Sequence, residues 1–153
     1  MAEPRVVEGV EGLEALAGQH VGESDWLQIT QERVQEFADA TRDHQWIHVD
    51  PVRAKAGPFG GPIAHGYLTL SLVSYFLPRV WQVEGFGMGV NYGLERLRFP
   101  APVPVGSRLR LRADLAEVQP LESGVEATMD LTMEVEGGVK PALVARGQFR
   151  YYF

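Results

Sequence analysis

The second half of the chain is written in a period of two. Leu109, Leu111, Ala113 and Leu115 alternate with Arg108, Arg110, Arg112 and Asp114. Val125, Ala127, Met129, Leu131, Met133 and Val135 alternate with Glu126, Thr128, Asp130, Thr132 and Glu134. Leu143, Ala145, Gly147, Phe149 and Tyr151 do the same with Val144, Arg146, Gln148 and Arg150. Successive side chains of a strand point to opposite faces, so this alternation predicts strands buried on one face and solvated on the other. Gly137-Gly138 and the stretch from Pro120 to Gly124 supply the turns of antiparallel hairpins.

The first half follows a helical period interrupted by loops. A short helix is predicted around Glu11 to Ala17, and Trp26 to Ile29 reads as a brief strand. Thr30 then caps a helix whose apolar stripe is Val34, Phe37, Ala38 and Thr41, spaced i, i+3, i+4, i+7. Asp50-Pro51 marks another start, a carboxylate N-cap followed by proline at the first helical position, and Gly57 ends that helix. Residues 57–62, Gly-Pro-Phe-Gly-Gly-Pro, oppose regular structure. From Gly66 to Trp81 the pattern is apolar almost all round, which predicts a buried helix. One buried helix followed by long antiparallel strands predicts an α+β fold with the sheet wrapped around the helix. No internal repeat or low-complexity linker interrupts the chain, so residues 1–153 read as a single domain.

Composition removes several function classes. A net charge of -6 opposes nucleic-acid binding, which needs a basic face to neutralise phosphates. The most apolar segment, Tyr67 to Leu77, falls short of the roughly 20 residues of a membrane span, so a membrane is not an expected partner. The chain has no cysteine, which rules out a disulfide scaffold, a thiolate zinc site and a cysteine nucleophile together. Met1 to Arg5 is not a basic stretch leading into an apolar run, so the cytoplasm is the expected compartment.

Candidate chemistry is concentrated between residues 43 and 66, where three of the four histidines fall. Asp43 is followed five residues later by His48, just past a predicted helix end, which sets a carboxylate and an imidazole on an irregular loop. The segment Asp43-His44-Gln45-Trp46-Ile47-His48-Val49-Asp50 resembles the Asp-x-Asn-Pro-x-His-x-Asp pattern of the MaoC-like hydratases and dehydratases, which include the (R)-specific enoyl-CoA hydratases. Asp, His and the trailing acid keep their spacing, whereas Gln45-Trp46 stands where the pattern has Asn-Pro, a variant similar to the branch of nodulation protein N. Two further stretches, Gly61-Pro62-Ile63-Ala64-His65-Gly66 and Arg98 to Gly106, carry the resemblance, which runs from about Val21 to the C-terminus. The resemblance implies a hot-dog fold, an antiparallel sheet around a central apolar helix, and an acyl thioester of coenzyme A or an acyl carrier protein as substrate. It further implies a homodimer with its sites near the subunit interface, and Ser74 beside the catalytic pair.

The chemistry follows from the residues themselves. Adding water across a C2–C3 double bond conjugated to a thioester needs a base for water, a proton for C2 and a donor for the enolate oxygen. His48 suits proton abstraction near neutral pH. Asp43 can orient the water and handle the second proton. Gly66 opens the central helix and offers a backbone N–H with no side chain in the way. His44 and His48 are spaced for a metal if helical, but no second ligand set accompanies them, and none is assigned. No Gly-x-Gly-x-x-Gly follows a strand and hydration needs no redox cofactor, so coenzyme A enters only as part of the substrate. A hot-dog thioesterase is the rival enzyme, opposed by the lack of any Asp or Glu between Asp50 and Glu84. A non-catalytic thioester-binding module is the alternative outside enzymology. Asp43 could instead merely cap a helix end, and Ser74 could simply bond back to its own helix. Arg96, Arg98, Arg108, Arg110 and Arg112 are set against coenzyme A phosphates on one side and plain solvated surface on the other.

Overall fold

A computed structural model describes residues 2–153. In chain order its elements are β1 (Arg5–Glu8), α1 (Gly9–Leu16), β2 (Gln19–Glu23), β3 (Leu27–Gln28), α2 (Gln31–Thr41), α3 (Trp46–Val49) and α4 (Pro51–Lys55). There follow α5 (Gly66–Ser71), α6 (Val73–Val80), β4 (Trp81–Glu84), β5 (Met88–Arg98), β6 (Arg108–Leu121), β7 (Gly124–Val135) and β8 (Leu143–Tyr152).

The period-two segments form the main sheet, of strand order β2-β6-β7-β8-β5, with β3 also pairing with β6. Every pairing in it is antiparallel. The alternation decides which face is buried: Leu109, Leu111, Ala113 and Leu115 are sealed in the core, as are Val125, Ala127, Met129 and Met133. Their neighbours on the outer face form cross-strand ion pairs, Arg108–Glu136, Arg110–Glu134, Arg146–Asp130 and Arg150–Glu126. Arg110 is thus engaged with a carboxylate of the adjacent strand, and Arg108 with Glu136 just past its end. The β6–β7 hairpin closes over Glu122-Ser123, between the paired Leu121 and Gly124.

β1, β2, β4 and β5 escape the periodicity reading. β1 pairs in parallel with β4, and both are only four residues long, too short for alternation to register.

The central helix differs from the expectation in two respects. It is broken at Leu72 into α5 and α6, and Trp81 already belongs to β4. It is buried on one side only: Leu68, Thr69, Leu72, Val73, Phe76, Leu77 and Val80 are in the core, while Ser71, Ser74 and Arg79 face out and Tyr67 is 70% exposed. The concave sheet covers one side of the helix, and apolar character on the other side is not enough to bury it. No helix among the described residues is long and apolar enough to cross a membrane.

Helix caps match the residue pattern. Thr30 Oγ1 accepts from the Arg33 N–H at 3.1 Å, and Asp50 Oδ1 accepts from the Arg53 N–H at 3.0 Å. In α2, Val34 and Ala38 are buried, but Thr41 is exposed and its hydroxyl donates to the Phe37 carbonyl at 2.7 Å.

Candidate active site

The chain turns into the site at Arg42, which caps α2 in the left-handed region (φ 64, ψ 18). Glycine is the usual residue there, and a side chain costs about 1–2 kcal/mol. Asp43 follows immediately; its Oδ1 accepts from the Gln45 N–H at 3.3 Å. Asp43 is thus tied into the turn ahead of α3 and does not cap the end of α2, which falls at Arg42, and Oδ2 is left free of that turn.

His48 lies on α3, a single helical turn rather than irregular loop. Trp46 occupies the first position of α3, where the family pattern has proline, a residue suited to that place because its missing N–H would be unpaired anyway. Here packing replaces the ring constraint. The Arg53 guanidinium lies 4.3 Å from the Trp46 ring centroid, and a Cβ on Gly57 would stand 2.9 Å from the indole. Gly57 is required by that contact.

The His48 side chain is 6% exposed, and its Nδ1–H donates to the Ile63 carbonyl at 2.7 Å. Ile63 in turn donates its N–H to the Ile47 carbonyl at 3.0 Å, and Gln31 Nε2 donates to the His48 carbonyl at 2.8 Å. A carbonyl only accepts, so the His48 proton sits on Nδ1 and the Nε2 lone pair is free. Burial holds the imidazole pKa below its ordinary value, the bond to Ile63 opposes that shift, His65 adds to it and Asp43 counters it. His48 is consequently a neutral base at neutral pH.

His65, 3% exposed, joins this pair from the other side of the loop. Its Nε2–H donates to the Asp43 main-chain carbonyl at 3.0 Å, and its ring stacks on His48 with centroids 3.9 Å apart and 24° between planes. Its Nδ1 is buried without a partner, an arrangement that costs about 1–3 kcal/mol. Side-chain donor atoms of Asp43, His48 and His65 all lie within 4.8 Å of one another. An Asp43–His48 separation of that order suits one bridging water. It does not suit a metal ion on both imidazoles. Lone pairs lie in the ring planes, and an ion about 2.0–2.1 Å from both nitrogens would sit far out of two stacked planes.

Beside His48 opens a cavity of about 460 Å³ with apolar walls that include Ile47, Phe59, Ile63, Phe99, Pro102 and Val103. Gly66 lines it as the first residue of α5, so its N–H lies outside the intrahelical ladder. The Phe99 ring covers this glycine closely: a Cβ there would be 3.2 Å from the ring. Asp43, with 53% of its side chain exposed, is not part of the cavity wall. Ser74 is placed elsewhere. Within one copy of the chain it is exposed on α6 and lines clefts with Asn91 and Phe149, not the His48 cavity. Eight residues of helix carry it about 12 Å beyond Gly66.

An antiparallel sheet wrapped on a central helix, with a carboxylate and imidazoles gathered at the helix start, is the hot-dog arrangement. The R-hydratase of Pseudomonas aeruginosa, in its unliganded form, superposes with a TM-score of 0.77 over 94% of this chain and 85% of that one, at 25% identity. The 3-hydroxyacyl-thioester dehydratase Z of Mycobacterium tuberculosis is 55% identical over 148 residues, 96% of this chain and 98% of the relative. Nodulation protein N of Rhizobium leguminosarum is 47% identical over 134 residues, 84% and 81% of the two chains. Residues 13–136 match the MaoC-like domain. The chain belongs to the MaoC-like dehydratase family.

Three participants were not legible from sequence: the Ile63 carbonyl, Phe99 and the His48–His65 stack. A backbone acceptor has no residue-type signal. Phe99 lies more than thirty residues from Gly66. His65 does sit at the Gly66 turn as the pattern implies, at the N-cap position of α5, yet its side chain makes no cap and turns to Asp43 and His48.

Proposed function

We propose that this protein adds water to, or removes it from, the C2–C3 bond of an acyl thioester, with Asp43 and His48 as the reacting pair. One observation carries the assignment: a buried neutral imidazole at the wall of an apolar cavity, its Nε2 free, stands within a water's span of the Asp43 carboxylate. In hydration, His48 Nε2 takes a proton from a water oriented by Asp43, and the oxygen bonds to C3. Electron density moves to the thioester oxygen, where the Gly66 N–H stabilises it. C2 receives a proton through Asp43, which takes it up from solvent, and His48 releases the one it took from water back to solvent, so the net addition is one water. Dehydration is the same path reversed. The likeness to dehydratase Z and to the R-hydratase supports this reaction class and a 3-hydroxyacyl product of (R) configuration.

Coenzyme A or an acyl carrier protein enters as part of the substrate, and the chemistry calls for no redox cofactor or metal. Hydrolysis is disfavoured because α5 and α6 carry no carboxylate. The core runs continuously from Val7 to Phe149, which supports one hot-dog unit over residues 1–153. The same reading places the protein in the cytoplasm, where such thioesters are made and consumed. A homodimer completes it. β5 is a long edge strand with Met88, Tyr92 and Leu94 exposed, Tyr92 at 59%, and pairing two copies there would cover both the edge and the clefts at Ser74. Light scattering that finds only monomer at working concentration would remove this element.

The deciding assay mixes the protein with crotonyl-CoA and follows the conjugated enoyl absorbance beside a free-thiol reagent. Absorbance loss without thiol release is the expected result. Thiol release would make the protein a thioesterase and overturn the assignment.

A further inference from the structure

We propose that His65 is a positioning residue for this reaction, holding the plane of the His48 imidazole and the main chain of Asp43 at once. The proposal rests on Asp43 and His48 being the reacting pair. His48 is anchored through one bond, Nδ1–H to the Ile63 carbonyl, which fixes a direction but not the rotation of the ring about it. The flat face of His65, 3.9 Å away, removes that rotation. Asp43 carries only a 3.3 Å bond from the Gln45 N–H on its carboxylate, and its carbonyl is held by His65 Nε2–H at 3.0 Å. Phe37 packs on the His65 ring from α2, centroids 4.9 Å apart.

No simpler side chain performs both tasks. Phenylalanine would stack without donating, and glutamine would donate without stacking. A ring retained for packing alone would carry no buried, unpartnered Nδ1.

His65 also belongs to the electrostatic surroundings of His48. The titratable groups acting on His48 are Asp43 from the loop and His65 from the N-cap of α5. Gln31 of α2 is uncharged, Arg53 of α4 lies over Trp46, and the wall from Phe99 to Val103 is apolar. Removing the neighbouring imidazole therefore raises the His48 pKa and moves the acid limb of hydration to higher pH.

The test compares wild type, His65→Phe, His65→Gln and His48→Gln on a trans-2-enoyl-CoA across pH. Both His65 variants are expected to lose about tenfold or more in kcat, with KM changed far less, and to shift the acid limb of kcat/KM upward. Folded variants with wild-type kcat and an unmoved limb would overturn the proposal, whatever happens to their melting temperature. Activity surviving in His48→Gln would overturn the pair assignment and this proposal together; a dead His48→Gln beside unaffected His65 variants overturns this proposal alone. If neither His65 variant folds, 15N NMR of the wild-type imidazoles decides. The proposal requires His65 protonated at Nε2 and His48 at Nδ1 at the pH of full activity, and the opposite tautomer at His65 overturns it.

Discussion

The imidazoles of His48 and His65 lie nearly flat on one another, 3.9 Å between centroids, although seventeen residues separate them in the chain. One comes from the helical turn of α3 and the other from the N-cap of α5, so the contact joins the two stretches of sequence that carry the family pattern. Burial works against protonating His48, with the neighbouring His65 adding to it, and this keeps a base available at neutral pH.

Removing either reacting group is expected to lower kcat/KM for a trans-2-enoyl-CoA by about 10²–10⁴-fold. His48→Gln deletes the base. Asp43→Asn is the sharper test, because the amide oxygen can still accept from the Gln45 N–H and keep the loop turn, while the charge is lost. Circular dichroism should show an unchanged fold in both. Near wild-type turnover in either would end the assignment.

The hydration rate should be flat above pH 6.5 and fall tenfold per unit below the depressed His48 value, measured as kcat/KM against pH. Stability follows the same window. Between the folded value and 6.5 the unfolded chain binds more protons at this position, so His48 contributes stability that is present above 6.5 and lost as pH falls. An acid limb above 6.5 would show that another group controls the rate.

Phe99 and Gly66 should prove coupled. Gly66→Ala brings a methyl to 3.2 Å from the Phe99 ring and into the path of the thioester oxygen. Phe99 is partly exposed and can give way, so the variant should fold with a melting temperature near wild type while kcat falls. Adding Phe99→Ala relieves that approach and should still leave kcat low. Full recovery of kcat would show that the ring, rather than the Gly66 N–H, was the obstacle.

Trp46 supplies by packing what proline supplies by covalent constraint. Trp46→Ala should cost about 2 kcal/mol in urea unfolding, by loss of the contacts with Gly57 and Arg53. Gln45 already has an extended backbone (φ -58, ψ 139) that tolerates a following proline. Trp46→Pro should therefore recover about 0.5–1 kcal/mol relative to Trp46→Ala. A proline variant weaker than the alanine one would show that the loop needs a geometry proline cannot adopt.

Local pattern was enough for much of this molecule. Alternation at 109–115, 125–135 and 143–151 determined the long strands and their buried face, because a period of two leaves no freedom in which side chains share a face. Thr30 and Asp50-Pro51 determined where α2 and α4 begin, because capping is settled within one turn of chain. The Asp43/His48 spacing determined that this carboxylate and imidazole lie near one another for the same reason: five residues span a short distance whatever the fold. Tertiary structure alone decided the rest. The one-sided burial of α5 and α6 depends on how far the sheet curls around them, which no window of sequence contains. The resemblance implies Ser74 beside Asp43 and His48; within one copy of the chain it lines the clefts at β5. The Ile63 carbonyl on His48 Nδ1, Phe99 over Gly66 and His65 against both Asp43 and His48 are contacts between segments far apart in the chain. Only packing of the whole core brings them within bonding distance, so only the folded protein could disclose them.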